Sequence, residues 1–256
     1  MMSKRLLIAA AAFALLPSCM TTPAATQADF AAAVAAPGRT EAHRALDEVR
    51  RPADVLAFAG LRRGDRVLDY FTGNGYYAEL MARAVGPQGS VTGWNSESFG
   101  RNAEIRAALD AMAGRNANAS FISGPSTALS FAPNSYDFVM MHLVYHDAYW
   151  ESARFGLPRI DPNTVTQAIY RTLRPGGVVL VIDHVANPGR DTRAEVEATH
   201  RILPETVRAD FERAGFVLEA ESPLLRNPAD DRSVNVFTPS IRGRTDRIMY
   251  RFRKPR

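Results

Sequence analysis

From Arg44 onward, short apolar runs alternate with longer stretches whose apolar positions recur every three or four residues, the pattern of strands interleaved with amphipathic helices. Pro52 suits a first helical turn, Leu56 and Phe58 supply its apolar surface, and Gly60 closes it before a strand over Arg66 to Tyr70. Gly75 opens a helix running to about Val85, Val91 to Trp94 reads as the second strand, Ala103 to Met112 as a helix, and Ser120 to Ile122 as the third strand. Tyr136 to Met141, apolar after Asp137, is the fourth. Val165, Ile169 and Leu173 lie four apart in a helix that Arg174-Pro175-Gly176-Gly177 stops, ahead of a buried strand over Val178 to Ile182. Pro204 to Ala214 is a further helix ending at Gly215, Phe216 to Ala220 begins a sixth strand, and Arg247 to Phe252 closes the sheet as a seventh. This alternation predicts an α/β fold on a parallel sheet, with ligands at the carboxyl ends of the strands where strand order reverses.

A content of 46% hydrophobic and 23% charged residues in 256 supports one sizeable core and excludes a disordered or fibrous chain. The net charge is +4, of which Lys4 and Arg5 supply two. The basic residues Arg242, Arg244, Arg247, Arg251, Arg253, Lys254 and Arg256 alternate with Ile248, Tyr250 and Phe252, which suits a solvated edge strand and lends nucleic-acid binding no support. Lys4-Arg5, the apolar run Leu6 to Leu16 and the small residues around Pro17-Ser18-Cys19 have the anatomy of an export signal. Leu16-Pro17-Ser18-Cys19 resembles a bacterial lipoprotein box, in which Cys19 would carry a lipid anchor; a conventional signal cut after Thr22-Pro23-Ala24 is the alternative. Cys19 is the only cysteine, so an intrachain disulfide is excluded. The expected organisation is a signal peptide over 1–18, a linker or N-terminal extension over 19–43 with a tether from Thr21 to Ala36 that can hold a short helix, and one domain over 44–256. A functional signal places the protein in the cell envelope, as a periplasm-facing lipoprotein or in the periplasm; otherwise it is cytoplasmic.

Val67-Leu68-Asp69-Tyr70-Phe71-Thr72-Gly73-Asn74-Gly75 runs a buried strand into a glycine loop, where backbone N–H groups can approach a ligand closely. Val91-Thr92-Gly93-Trp94-Asn95, Tyr136-Asp137-Phe138-Val139 and Leu173-Arg174-Pro175-Gly176-Gly177-Val178 follow in order. Together these resemble the motifs of class I S-adenosylmethionine-dependent methyltransferases, over roughly Pro52 to Lys254. Within that superfamily the chain looks closest to an uncharacterised group of predicted bacterial methyltransferases, on Arg51-Pro52-Ala53-Asp54, Tyr145-His146-Asp147, Asp183-His184, His200-Arg201 and Ile241-Arg242-Gly243-Arg244-Thr245-Asp246-Arg247. The resemblance implies a doubly wound, seven-stranded, mostly parallel sheet of the Rossmann-like methyltransferase fold with an antiparallel last strand. It implies S-adenosyl-L-methionine as cofactor, with contacts at Asp69, Phe71, Thr72, Gly73, Gly75, Asn95, Ser126 and His142.

Three positions depart from the family pattern: Phe71 stands where the loop commonly has its first glycine, Asn95 replaces the acid that binds both ribose hydroxyls, and Pro125 occupies the place where an aspartate often meets adenine. Gly73-Asn74-Gly75-Tyr76-Tyr77-Ala78 also satisfies the G-x-G-x-x-A dinucleotide fingerprint. That reading wants an acid near Asn95 too, and Asp69 with the proline-glycine-glycine turn favours the methyltransferase.

Four of the five histidines fall where the sheet should present ligands: His142, His146, His184 and His200, with Asp147 and Asp183 adjacent to two of them. A methyl acceptor bearing a hydroxyl, thiol or amine loses a proton as it attacks, and a carboxylate-oriented imidazole can take it. His146 or His184 is the expected base, with Asp147 and Asp183 orienting and His200 in the same group; His43 reads as a surface residue. Three histidines and an aspartate could also satisfy a divalent ion, but no H-x-H or H-E-x-x-H spacing supports one, so no metal is expected. Tyr145, Tyr149, Trp150 and Phe155 could wall an apolar acceptor pocket. The expected function is methyl transfer to a small-molecule acceptor; an envelope-anchored, non-catalytic ligand-binding module is the alternative, raised by the export pattern and by Asn95.

Overall fold

The computed structural model describes residues 25–256. The export segment and Cys19 lie outside the described residues. The strands β1 (Arg66–Tyr70), β2 (Ser90–Ser96), β3 (Ala119–Gly124), β4 (Tyr136–His142), β5 (Leu173–His184), β6 (Val217–Glu221) and β7 (Arg247–Arg253) form one sheet in the order β3-β2-β1-β4-β5-β7-β6. Only β7 runs antiparallel, to both β5 and β6, as expected. Strand order reverses between β1 and β4, so the crevice outside their carboxyl ends is the natural ligand position. β7 is not the solvated edge its alternating charges suggest. It lies between β5 and β6, Arg247 is buried, and Arg251 and Arg253 turn to Glu219 of β6.

The helices are α1 (Gln27–Ala35), α2 (Glu41–Arg44), α3 (Asp47–Arg50), α4 (Pro52–Ala59), α5 (Tyr76–Val85), α6 (Glu97–Gly100), α7 (Ala103–Arg115), α8 (Pro162–Thr172), α9 (Thr192–Thr199) and α10 (Pro204–Arg213). Period-two alternation in the strands builds two cores. Val67, Phe138, Met140 and Leu180 face α1, α4 and α5, while Leu68, Val139, Met141 and Val181 face α8 and α10. Pro175-Gly176-Gly177 does not end the element before β5 but begins the strand itself. Gly176 takes φ +77° and its N–H bonds the Lys254 carbonyl, and a Cβ on Gly177 would meet the Arg174 carbonyl at 2.9 Å.

Residues 27–35, expected within a tether, belong to the folded body. Thr26 and Asp29 form a reciprocal cap at the start of α1, and Phe30 and Ala33 are buried against α4 and α5. The body therefore begins well before residue 44, and His43, expected at the surface, is buried with its ring 5.5 Å from Tyr76. Because Phe30 fills core rather than tether, Phe30→Ala is expected to cost about 3–5 kcal/mol in urea-induced unfolding; a change under about 0.5 kcal/mol, the size of an ordinary surface substitution, would contradict that placement.

Candidate active site

The strand β1 delivers Asp69 into the interior, where its Oδ2 accepts a hydrogen bond from Thr72 Oγ at 2.6 Å. Phe71 then turns the chain at φ +60° without a glycine's freedom, a conformation that costs a bulky side chain of order 1–3 kcal/mol. Its ring is held edge-on to Trp94 and Phe99 at 5.6 and 5.1 Å. Gly73 follows at φ +58°, with no atom within 4 Å of where a Cβ would stand, so its backbone borders open space. Gly75 caps α5 in the left-handed conformation and sits against Leu109 on the opposite side.

The open space is a cleft of about 210 Å³ bordered by Arg50, Asp69, Phe71, Gly73, Tyr77 and His142. Burial pushes the Asp69 carboxyl up to about 7. Arg50 has no hydrogen-bond or ion-pair partner for its guanidinium among the described residues, stands 4.3 Å over the Tyr76 ring, and is lowered from its ordinary value by burial. The N-terminal layer puts it there. Asp47 accepts two hydrogen bonds from buried Arg39 at 2.6 Å and one from Tyr76 at 2.7 Å, and Arg51 at φ +46° redirects the chain into α4. His142 lies 4.7 Å from the Tyr77 ring with its Nε2 buried and unpartnered, and burial, reinforced by Arg50 and Arg247, holds it well below 6.5. A carboxylate and an unpaired guanidinium in one cleft suit a ligand carrying both an ammonium and a carboxylate.

Asn95 at the end of β2 does not face this cleft with free polar atoms. Its Oδ1 accepts from the Gly73 N–H and its Nδ2 donates to the Gly73 carbonyl, both at 2.9 Å, so the side chain clamps the glycine loop. Beside it Trp94 stacks on Tyr70 at 4.9 Å. A Cβ on Gly93 would lie 2.6 Å from Phe121 and 2.9 Å from Thr72, which fixes a glycine there. Ser126 lies in a separate small cavity with Tyr70, Phe71, Asp147 and Trp150. Phe71 thus borders both the cleft and the cavity.

The loop after β4 and the end of β5 meet at Asp183, which is fully buried. Its carboxylate accepts from the His146 main-chain N–H at 2.8 Å, from His146 Nδ1–H at 2.7 Å and from the His184 N–H at 2.8 Å. Pairing at Nδ1 leaves His146 Nε2 beside Asp147, 3.4 Å away. Burial opposes the charge on His146, but Asp183 and Asp147 prevail and raise it to about 9. Burial pushes Asp147 up to about 6. His184 is tied through Nδ1 to Thr245 Oγ at 2.7 Å and, chiefly by burial, stays well below 6.5. His200 closes α9 at φ +52°, with its ring 5.6 Å from His146, 4.6 Å from Trp150 and 5.1 Å from Phe237; burial lowers it to about 4. The structure therefore gathers His146, Asp147, Asp183, His184 and His200, and separates His142, which belongs to the glycine-loop cleft. Of the expected aromatic wall, Trp150 and Phe155 contact each other at 5.6 Å, whereas Tyr145 and Tyr149 both donate to Asp210 at 2.5 Å, on the side of α10.

Sequence reading gave no site role to Arg50, Arg247, Tyr77 or Thr245, although Tyr77 stands in the glycine-loop stretch and Thr245 and Arg247 in the late stretch matched to the family. Arg247 pairs in register with His184 across β5 and β7, a neighbourhood no local pattern announces. Arg50 precedes the Arg51-Pro52 helix start, and that junction was its only signal.

The sequence profile of a family described as "Methyltransferase domain" matches residues 61–236. A demethylmenaquinone methyltransferase of Listeria monocytogenes serotype 4a is 31% identical over 135 residues, 51% of this chain and 49% of that protein. Its Geobacillus kaustophilus counterpart is 29% identical over 132 residues, 51% of this chain and 50% of that protein. The chain thus spans about half the length of the curated relatives it matches. Among solved structures, a SAM-dependent methyltransferase from Aquifex aeolicus is similar with a TM-score of 0.55 at 16% identity, covering 82% of this chain and 98% of that one. One from Mesorhizobium loti gives 0.56 at 16%, covering 81% and 99%. These share the fold.

S-adenosylmethionine, the cofactor this family implies, fits the cleft at its amino-acid end: Asp69 would hold the ammonium, Arg50 the carboxylate, and the open backbone at Gly73 leaves room for the chain between. The ribose position has no carboxylate, since Asn95 stands there and is engaged with Gly73. Restoring an acid by Asn95→Asp removes the donor to the Gly73 carbonyl and sets oxygen against oxygen. The variant is expected to lose about 1–3 kcal/mol of unfolding free energy and to bind S-adenosylmethionine no more tightly by calorimetry; tighter binding with unchanged stability would contradict the clamp.

Proposed function

The chain belongs to the methyltransferase-domain family, and from that premise we propose that it transfers the methyl group of S-adenosylmethionine to the ionisable oxygen, sulfur or nitrogen of a small, partly apolar acceptor. The observation that carries this reading is the glycine-loop cleft with Asp69 and Arg50, bordered by Phe71, whose other side lines a cavity of about 20 Å³ beside Asp147 and Trp150 that an acceptor enters only as Phe71 turns aside. The bound cofactor supplies an electrophilic methyl group. The chain's own residues orient it and manage the acceptor's proton.

Asp147, raised to about 6, is a carboxylate at neutral pH with enough basicity to accept that proton. His146, raised to about 9, carries its positive charge at the same pH and stabilises the oxygen or sulfur anion as it forms. These roles exchange the expected ones, because two carboxylates hold the proton on His146 and Thr245 occupies one nitrogen of His184. Half-exposed Phe155 (41%) and Phe237 (56%) continue the apolar border outward from Trp150 and His200, which suits an acceptor with an apolar body. The relatives named for demethylmenaquinone make quinones the first acceptor class to try, with the product showing whether a ring carbon rather than a heteroatom takes the methyl group. A non-catalytic ligand-binding module is the second reading, favoured by the engagement of Asn95 with Gly73 in place of a ribose acid.

Calorimetry with S-adenosylmethionine and S-adenosylhomocysteine tests the cofactor site. Saturable 1:1 binding is expected, tighter at pH 8 than at pH 6 because Asp69 must ionise near pH 7 to hold an ammonium, and weakened about 10- to 100-fold by Arg50→Ala, the worth of a charged hydrogen bond. Absence of saturable binding at millimolar ligand would defeat the assignment. If turnover follows with any acceptor, its rate should rise as Asp147 loses its proton near pH 6 and fall as His146 loses its proton near pH 9. Asp147→Asn should abolish the acid limb, and an Asp147→Asn variant with the wild-type profile would remove Asp147 from the chemistry. Binding without turnover for every acceptor tried, with Asp147→Asn indifferent, is the outcome the binding-module reading expects.

A further inference from the structure

We propose that His146, Asp147 and His200 form a binding site for one divalent transition-metal ion, with Asp183 as the carboxylate that orients the first ligand. One ligand atom from each of the three side chains lies within 4.8 Å of the others. A tetrahedral ion with bonds of about 2.1 Å needs ligand atoms about 3.4 Å apart, so the side chains close in by about an ångström on binding.

Three independent features support a built site rather than a chance grouping. First, His146 is held as metal-ligating histidines are held: Asp183 takes its Nδ1–H at 2.7 Å and its main-chain N–H at 2.8 Å, which fixes the tautomer and leaves Nε2 with the lone pair. Second, His200 is only 8% exposed, yet its Nδ1 is buried with no hydrogen-bond partner. A buried imidazole nitrogen without a partner calls for an explanation, and His200 is fixed in place as the left-handed residue that closes α9. Third, charge balances with an ion present. Asp147 and Asp183 bring two negative charges, His184 and His200 bring none when neutral, and no arginine or lysine pairs with either carboxylate among the described residues. A divalent cation would offset both carboxylates.

Two imidazoles and one carboxylate select borderline ions such as Zn²⁺, Co²⁺, Mn²⁺ or Fe²⁺ over Mg²⁺ or Ca²⁺, and leave coordination positions open. Asp147 also borders the cavity shared with Phe71 and Trp150. On the methyl-transfer reading, to which this consequence alone is tied, an ion here would act as a Lewis acid that lowers the pKa of the acceptor's heteroatom so that its proton leaves to solvent before transfer, in place of the base role of Asp147 and the positive charge of His146.

The test uses the full chain stripped with chelator and titrated with Co²⁺ and Zn²⁺. One equivalent is expected to bind, with a visible Co²⁺ ligand-field band displaced by Zn²⁺, and His146→Ala or His200→Ala should each lower affinity at least 100-fold. Asp183→Asn should lower it about 10- to 100-fold, the usual effect of removing a ligand's orienting partner. His43→Ala, distant behind Tyr76, should leave it unchanged. Should the histidine variants fail to fold, X-ray absorption of the Zn²⁺-loaded wild-type protein decides: two imidazole nitrogens and a carboxylate oxygen uphold the site. No stoichiometric binding, an all-oxygen shell, or affinity unmoved in folded His200→Ala overturns it. All these readouts are independent of S-adenosylmethionine, so failure of the metal site leaves the cofactor assignment standing, and the reverse.

Discussion

The Asp183 carboxylate is the constraint on which the acceptor side of this molecule depends. It ends β5 at 0% exposure and takes three hydrogen bonds, two from His146 and one from the N–H of His184. Removing a carboxylate so placed leaves three buried donors without a partner, each costing about 1–3 kcal/mol. One side chain thereby ties the loop after β4 to the end of β5. The short helical turn His146–Tyr149 exists as a positioned element because its first residue is anchored from outside.

The cofactor side depends on a different device. Asn95 reaches from β2 to both main-chain polar groups of Gly73, and Thr72 N–H bonds the Trp94 carbonyl at 2.9 Å. The loop is thus fastened before any ligand arrives, so binding does not bear the entropy of ordering it. In return the chain gives up the charged contact a ribose acid would make. Arg50 shifts recognition toward the opposite end of the ligand, and α1 to α3 are what bring Arg50 there. An N-terminal layer that seems peripheral in sequence is part of the site.

Much of the fold was legible because its signals are local. Each of the seven strands was found within a few residues, since buried runs such as Val178 to Ile182 and glycine or proline boundaries announce themselves. The helix α9 was not foreseen, because its Thr-Arg-Ala-Glu-Val-Glu-Ala-Thr carries a single large apolar residue, Val196. The segment 27–35 was read as a tether holding a short helix; the helix is there, and only its packing against α4 and α5 distinguishes a docked alanine-rich helix from a tethered one. The histidine–carboxylate group was legible as residue types at strand ends, but its division of labour was not. Which nitrogen of His146 meets Asp183, and whether Asn95 faces ligand or backbone, are facts of geometry at the scale of one hydrogen bond.

Phe71 holds its strained conformation between a cleft and a cavity that each have charged groups of both signs nearby. Arg50 and Asp69 border the glycine-loop cleft, and Asp147, beside His146, borders the small cavity. An aromatic ring at the boundary adds attraction for a cation through its π face while keeping water out. Glycine at position 71 would relieve the backbone at φ +60° but would open the cleft to the cavity and remove the ring. The strain is the local cost of a ring that borders both spaces and must turn for them to join.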